Sequence, residues 1–184
     1  MGRNTLSIET ERLVIRSYQL EDYPNWYKQF DKEKQKRPSY SKEGYSKWIQ
    51  GLNNDADSDK MYNFGIFRKH DGVNVGKIEV WTILRMDYQW AMMGYSLYKQ
   101  YWKQGYATEA VLAATDAFFN ELDYHRIELH IDTGNTPSQK VAKRTGFKFE
   151  CTRIAFSYEN GVWTDMDIYY KNKGETFYGN ERNN

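Results

Sequence analysis

The alternation of apolar and polar positions divides the chain into short strands and amphipathic helices. Leu13-Val14-Ile15-Arg16, within residues 8–17, is β-rich and predicts a first strand. Tyr23, Trp26, Tyr27 and Phe30 recur at helical spacing behind Glu21-Asp22, which predicts a short helix over 20–30. The charged run 31–37 ends at Pro38 and reads as a loop. Ser41 is a candidate N-cap for a second helix carrying Tyr45, Trp48, Ile49 and Leu52. Strands over 62–68 and 73–82 flank the turn His70-Asp71-Gly72, and another strand is expected over 87–97. A glycine loop at 101–105 leads to the strongest helix, 108–122, where Ala107, Ala110, Val111, Ala114, Ala117 and Phe118 share one face. Ile127, Leu129 and Ile131 alternate along a strand over 126–132. A helix over 137–145 has Pro137 in its first turn and Gly146 at its end. Segments 147–158 and 162–170 close the pattern as a hairpin about Asn160-Gly161. No internal repeat is present. The order β-α-α-β-β-β-α-β-α-β-β predicts an α/β fold with helices on both faces of one sheet.

At 184 residues the chain is long enough for one domain, assigned to 1–172, followed by a polar tail at 173–184. Aromatic residues make up 17% against only 3 Pro, so a disordered chain is excluded and a core and cleft built from rings are expected. The formal net charge of +1 argues against a direct nucleic-acid partner. Cys151, the single cysteine, can form neither an internal disulfide nor a multi-cysteine zinc site and reads as a small packed residue. No metal is expected. No apolar run approaches the ~18 residues that span a bilayer. The start, residues 1–7, lacks a signal-peptide apolar region, and Leu6 stands where myristoylation requires Ser or Thr. The expected compartment is the cytoplasm, with no membrane partner.

The stretch with chemical content is Gly94-Tyr95-Ser96-Leu97, followed by Tyr101-Trp102-Lys103-Gln104-Gly105-Tyr106-Ala107-Thr108-Glu109-Ala110. A strand runs into a glycine loop, and the loop opens a helix. Exposed N–H groups there, with the helix dipole, make an anion site suited to a pyrophosphate. Gly105 permits close backbone approach, and Ala107 leaves room at the first turn. The segment is not a P-loop, since no Gly-Lys-Ser/Thr follows, and it lacks the three-glycine dinucleotide spacing. On spacing alone an ordinary loop and helix cap explains it equally well.

Taken in order, several pieces resemble the GNAT acetyltransferase superfamily, in particular the branch of the ribosomal-protein N-terminal acetyltransferases RimJ and RimL. Glu11-Arg12-Leu13-Val14-Ile15-Arg16 is similar to that branch's opening strand and Gly94-Tyr95-Ser96-Leu97 to its Gly-Tyr strand. Residues 102–110 resemble its acetyl-CoA pyrophosphate loop, Asn135-Thr136-Pro137-Ser138 its Asn-x-x-Ser helix start, and Gly146-Phe147 with Glu150 its Gly-Phe…Glu turn. Asp165 and Asp167 lie in a segment similar to its final strand. The resemblance covers residues 8–170. It implies the GNAT acyl-CoA N-acyltransferase fold, with a mixed, mostly antiparallel twisted sheet. It also implies direct transfer of acetyl from acetyl-CoA to a primary amine. The acceptor is a protein N-terminus or a small amine such as a polyamine, aminoglycoside or peptide antibiotic. A catalytically idle acyl-CoA-binding or sensing module is the alternative, and a homodimer is left open.

Carried over by position, Leu97, Tyr98 and Lys99 line the pantetheine arm in a splayed gap beside the Gly-Tyr strand. Gln104, Gly105, Tyr106, Ala107, Thr108, Glu109 and Ala110 hold the pyrophosphate. A backbone N–H near Tyr95 or Ser96 polarises the thioester carbonyl. Asn135 bonds the pantetheine amide or caps its helix. Many members carry a Tyr where Ala142 stands; Ser138 matches the branch's alternative and hydrogen-bonds the departing thiolate, passes it a proton through water, or serves only the helix terminus. Met92 stands where the branch often has a basic Glu. The remaining bases are Glu79, Asp87, Tyr95, His130, Asp167 and a water chain, and the expected catalytic residues are Ser138, Glu79 and Tyr95. Glu79 also reads as an outward solvated carboxylate, and His130 as a packed or surface histidine. Among Trp26, Tyr27, Tyr40 and Trp48, some rings are expected in the acceptor pocket, gripping the amine by cation–π contact. Acidic Asp31, Glu33 and Asp55 add attraction that Lys32, Lys34 and Lys36 blunt.

Overall fold

The computed structural model describes residues 6–30 and 32–175. The expectations for residues 1–5, for Asp31, for the side chains of Lys32 and Glu33, and for the tail beyond residue 175 lie outside the described residues. The elements are β1 (Ser7–Glu9), β2 (Leu13–Arg16), α1 (Tyr23–Tyr27), α2 (Lys32–Gln35), α3 (Lys42–Asp57), β3 (Met61–Arg68), β4 (Asn74–Leu84), β5 (Trp90–Leu97), α4 (Tyr106–Glu121), β6 (Arg126–Asp132), α5 (Thr136–Arg144), β7 (Lys148–Glu159) and β8 (Val162–Asn172). The strands form one sheet in the order β1-β2-β3-β4-β5-β6-β8-β7. Every neighbouring pair is antiparallel except β5 and β6, which α4 connects in parallel.

Strand alternation sends one set of side chains to each face. On one face, Phe64, Ile78, Val80, Met93, Ile127 and Leu129 form a single core with Ala110, Val111, Ala114 and Phe118 of α4 and Ala142 of α5. The Phe64 and Phe118 rings lie 5.5 Å apart. Of the apolar stripe read along residues 107–118, Ala110, Val111, Ala114 and Phe118 are buried and Ala117 packs against them, whereas Ala107 stands at the edge of the core. On the other face, α1 and α3 cover β3 through Tyr18, Trp26, Tyr45, Ile49 and Phe67. Arg16 and Asp22 tie this layer to the sheet with paired bonds of 2.7 Å.

The departures from expectation are local. The first strand is two strands, because Thr10 folds the chain back with its hydroxyl accepting from the Leu13 N–H at 2.9 Å. The helix expected over 20–30 is a 3-10 turn, Leu20–Asp22, followed by the five-residue α1. Pro24 sits in the first turn of α1, the only part of a helix that tolerates its missing N–H. The charged run after Asp31 holds a single helical turn, α2. The strand expected from residue 87 starts at Trp90, since Met86 and Gln89 take positive φ in the turn before it. The long helix starts at Tyr106 rather than Thr108, with Gly105 as its N-cap.

Candidate active site

The parallel ladder between β5 and β6 is short. Trp90, Ala91 and Met92 pair with Arg126, Ile127 and Glu128, and the described pairing ends there. β5 stays bonded to β4 as far as Leu97, so it leaves β6 and not its antiparallel neighbour. Tyr95 spans the resulting opening: its hydroxyl donates to the Ser138 carbonyl in α5 at 3.3 Å. Burial raises the Tyr95 phenol above its ordinary value, and the bond to Ser138 pulls the other way.

Beside this opening lies a cleft of about 690 Å³, within the range of small-molecule sites. Its walls come from the end of β5, the start of α4 and one side of α5. Of the residues singled out in the sequence, Tyr95, Ser96, Leu97, Ala107, Asn135 and Ser138 line it. Trp102 does so too and latches its loop to β5, its indole N–H donating to the Leu97 carbonyl at 2.8 Å. Gly105 takes φ +82° at the head of α4 and, as a glycine N-cap, brings no side chain to cap that end. The first N–H groups of a helix have no partner within it, so those of Tyr106, Ala107 and Thr108 remain available beside the cleft. Among the described residues, three cations, Lys103, Lys140 and Arg144, line the cleft and no carboxylate does. Sequence reasoning had Lys103 only as part of the loop 102–110 and missed Lys140 and Arg144. The i, i+4 spacing of Lys140 and Arg144 was the one available signal, since it puts both on one face of a helix.

Other predicted contacts point elsewhere. Glu109 is turned toward the β1–β2 turn, where it accepts from Thr10 Oγ1 at 2.6 Å, Arg12 N at 2.9 Å and Arg12 Nε at 2.7 Å. Burial opposes ionisation of Glu109, but these bonds prevail and hold its carboxyl below the usual range. Arg12 in turn donates to the Gln104 carbonyl at 2.9 Å and stacks on the Tyr106 ring. Arg12, Gln104, Tyr106 and Glu109 thus brace the loop from behind. Ala110 is wholly buried in the core. The Tyr98 N–H extends the ladder to Val75 at 3.0 Å, while its ring meets Phe30 edge-on. Lys99 starts a 3-10 turn that ends at Tyr101. Asn135 caps α5, its Oδ1 accepting from the Ser138 N–H at 3.2 Å; its Nδ2 remains to donate to a ligand.

The opposite face of the sheet carries Glu79, paired in register with Gly94 and held by Lys77 Nζ at 2.6 Å. Of the rings expected around an acceptor, Trp26, Tyr40 and Trp48 stack on one another: Trp26 lies 5.5 Å from Tyr40 and 5.6 Å from Trp48.

A sheet opened between two parallel strands, with a basic, helix-ended cleft at the opening, marks a transferase of the acyl-CoA N-acyltransferase fold. Residues 12–148 match the acetyltransferase (GNAT) domain, and the chain belongs to that family of N-acetyltransferases. It is 35% identical, over 70% of its length and 71% of the relative's, to the probable N-acetyltransferase YjcK of Bacillus subtilis (strain 168). Its fold is similar to the ribosomal-protein-S5-alanine acetyltransferase of Vibrio fischeri (TM-score 0.79, 22% identity, 92% of this chain and 98% of that one). It is also similar to RimJ of Mycobacterium smegmatis, solved in complex with a CoA disulfide (TM-score 0.76, 22% identity, 88% and 82%).

Proposed function

We propose that the chain binds acetyl-CoA in the cleft between β5, α4 and α5 and transfers its acetyl group to a primary amine. The observation that carries this reading is the opening of the β5–β6 ladder beside the glycine-capped start of α4. The residues fit the group. Free N–H groups at a helix start suit a diphosphate, three unopposed cations suit its charge, and a half-apolar strand edge suits a thin thiol arm. Leu97 and Asn135 flank that arm, and the backbone from Gly105 to Thr108 takes the diphosphate. Lys103, Lys140 and Arg144 supply the remaining phosphate contacts. Acetyl-CoA brings an activated acyl thioester.

The chain's own groups then do three things. A β5 main-chain N–H near Tyr95 or Ser96 polarises the carbonyl. Ser138, whose carbonyl accepts from the Tyr95 hydroxyl across the opening, offers its own hydroxyl to the leaving sulfur as a hydrogen-bond donor, and Tyr95 holds it in place. Glu79, on the face away from the cleft, draws in a cationic amine. Resemblance in fold to a ribosomal-protein acetyltransferase makes a protein N-terminus one acceptor to test and a small polyamine another.

Calorimetry with acetyl-CoA tests the first half. Thiol release with a panel of N-terminal peptides and polyamines tests the second. The expected result is saturable uptake of acetyl-CoA and amine-dependent thiol release. Uptake without release for any amine would favour an acyl-CoA sensor; no uptake would end the reading.

A further inference from the structure

On the face of the sheet away from the cleft, the strands bring a row of side chains level with the opening. Glu79 pairs with Gly94, and Met92 pairs with Glu128. Two residues beyond that last β5–β6 pair, Gly94 and His130 keep the same face by alternation and stand on either side of the gap. Gly94 has no side chain to block the space above it. Trp81 forms its wall: a methyl at Gly94 would lie 3.0 Å from the indole.

His130 is held within this row. Its Nε2 lies 2.9 Å from Glu128 Oε2, and the two side chains are 11% and 3% exposed. The other carboxylate oxygen of Glu128 accepts from Arg126 Nε at 2.8 Å. Bonds from His130 and Arg126 overcome the burial that opposes ionisation and hold the Glu128 carboxyl below its ordinary value. An ionised carboxylate only accepts, so the ring hydrogen between the two residues belongs to Nε2. In the neutral ring Nδ1 then carries the free lone pair. The Phe156 ring stands edge-on to the imidazole at 5.5 Å.

The geometry points to His130 as the general base of acetyl transfer, with Glu128 as its positioning residue. The inference rests on the reading that acetyl-CoA fills the cleft on the α4 side, which leaves the opposite face for the amine. Glu79, across Gly94, has its Oε1 held by Lys77, and a neighbouring ammonium favours the ionised form of a carboxylate and so makes it a weaker base; His130 Nδ1 carries a lone pair with no cation on it among the described residues. In the step, Nδ1 removes one proton from the acceptor's ammonium group. The freed nitrogen lone pair forms the N–C bond to the acetyl carbon, and the C–S bond breaks. A second N–H proton of the amine ends on the coenzyme sulfur, and the imidazolium returns its proton to water.

His130→Gln tests this with the least disturbance, because its amide N–H can still donate to Glu128 while the base is gone. With the best amine from the panel, turnover is expected to fall by about 10²–10⁴ while calorimetric affinity for acetyl-CoA is unchanged. Added imidazole should restore part of the activity of His130→Ala. A readout independent of turnover comes from ¹⁵N spectra of the free protein, in which only three histidines contribute. The His130 ring should carry its hydrogen on Nε2, and Glu128→Gln should lose that preference and lower turnover without changing acetyl-CoA affinity. Wild-type turnover in His130→Gln, or a neutral ring with its hydrogen on Nδ1, overturns the assignment. If the wild-type protein takes up no acetyl-CoA, the cleft reading fails first and visibly, and this proposal falls with it.

Discussion

At the scale of single residues, Gly105 and Ser138 make the sharpest tests. Gly105 sits at φ +82°, and an added Cβ would lie 3.2 Å from an Arg12 guanidinium nitrogen. A non-glycine residue in this left-handed region costs about 1–2 kcal/mol. Gly105→Ala should therefore lower the urea midpoint by a corresponding amount and weaken acetyl-CoA binding, as the α4 start is dragged from its place. Unchanged affinity with the expected loss of stability would separate the loop's shape from ligand binding. Ser138→Ala is cleaner. The cap of α5 comes from Asn135 Oδ1 bonded to the Ser138 backbone N–H, so removing the Ser138 hydroxyl leaves the helix start intact. Turnover should drop by about 10²-fold, the low end for a positioned proton-transfer group, with little change in calorimetric affinity. An equal loss in both would make Ser138 part of the binding surface only.

At the scale of elements, the start of α4 is fixed by its clamp to the β1–β2 turn. Glu109 gathers three bonds from Thr10 and Arg12, and its carboxyl titrates below the ordinary range. A carboxylate with a lower pKa folded than unfolded stabilises the fold above its unfolded pKa, about 4.3. That contribution drains away as acid takes the pH down through the folded value. Urea midpoints of wild type and Glu109→Gln should lie apart at pH 7 and converge on acidification; curves that stay parallel to pH 3 would deny the clamp its role. This clamp also shows where sequence reading stops. The order of strands and helices was legible because periodicity is a local property: Ile127, Leu129 and Ile131 mark a strand whatever surrounds them. The loop was legible because Gly105 is a local punctuation mark. The direction of Glu109 was not, since it depends on the rotation of α4 against a turn 97 residues earlier. The end of the β5–β6 ladder at Met92 and Glu128 was equally invisible, because it is a property of two strands together. His130 was visible as a candidate. Glu128, two residues back on the same face, is what gives it a defined orientation, and it was not singled out.

At the scale of the whole molecule, the charge balance hides an uneven distribution. A formal net charge of +1 gives almost no long-range field, yet Lys103, Lys140 and Arg144 meet on the walls of one cleft with no carboxylate beside them among the described residues. They are brought together from the loop before α4 and from one face of α5, so their effect is local and short in range. Charge-assisted hydrogen bonds contribute about 1.5–3 kcal/mol each when well formed, and each 1.4 kcal/mol is about tenfold in affinity. Lys140→Ala combined with Arg144→Ala, which removes two such bonds, should therefore weaken acetyl-CoA binding by about 10²–10⁴-fold without shifting the thermal midpoint, because neither side chain supports the core. Salt provides the independent check. Raising ionic strength from about 0.1 M to about 1 M shortens the screening length from about 10 Å to about 3 Å. Wild-type affinity should fall steeply across that range, and the double variant's affinity much less. Equal slopes for the two proteins would mean that the phosphates are held by backbone N–H groups alone, and that the cations of α5 face the cleft without gripping what enters it.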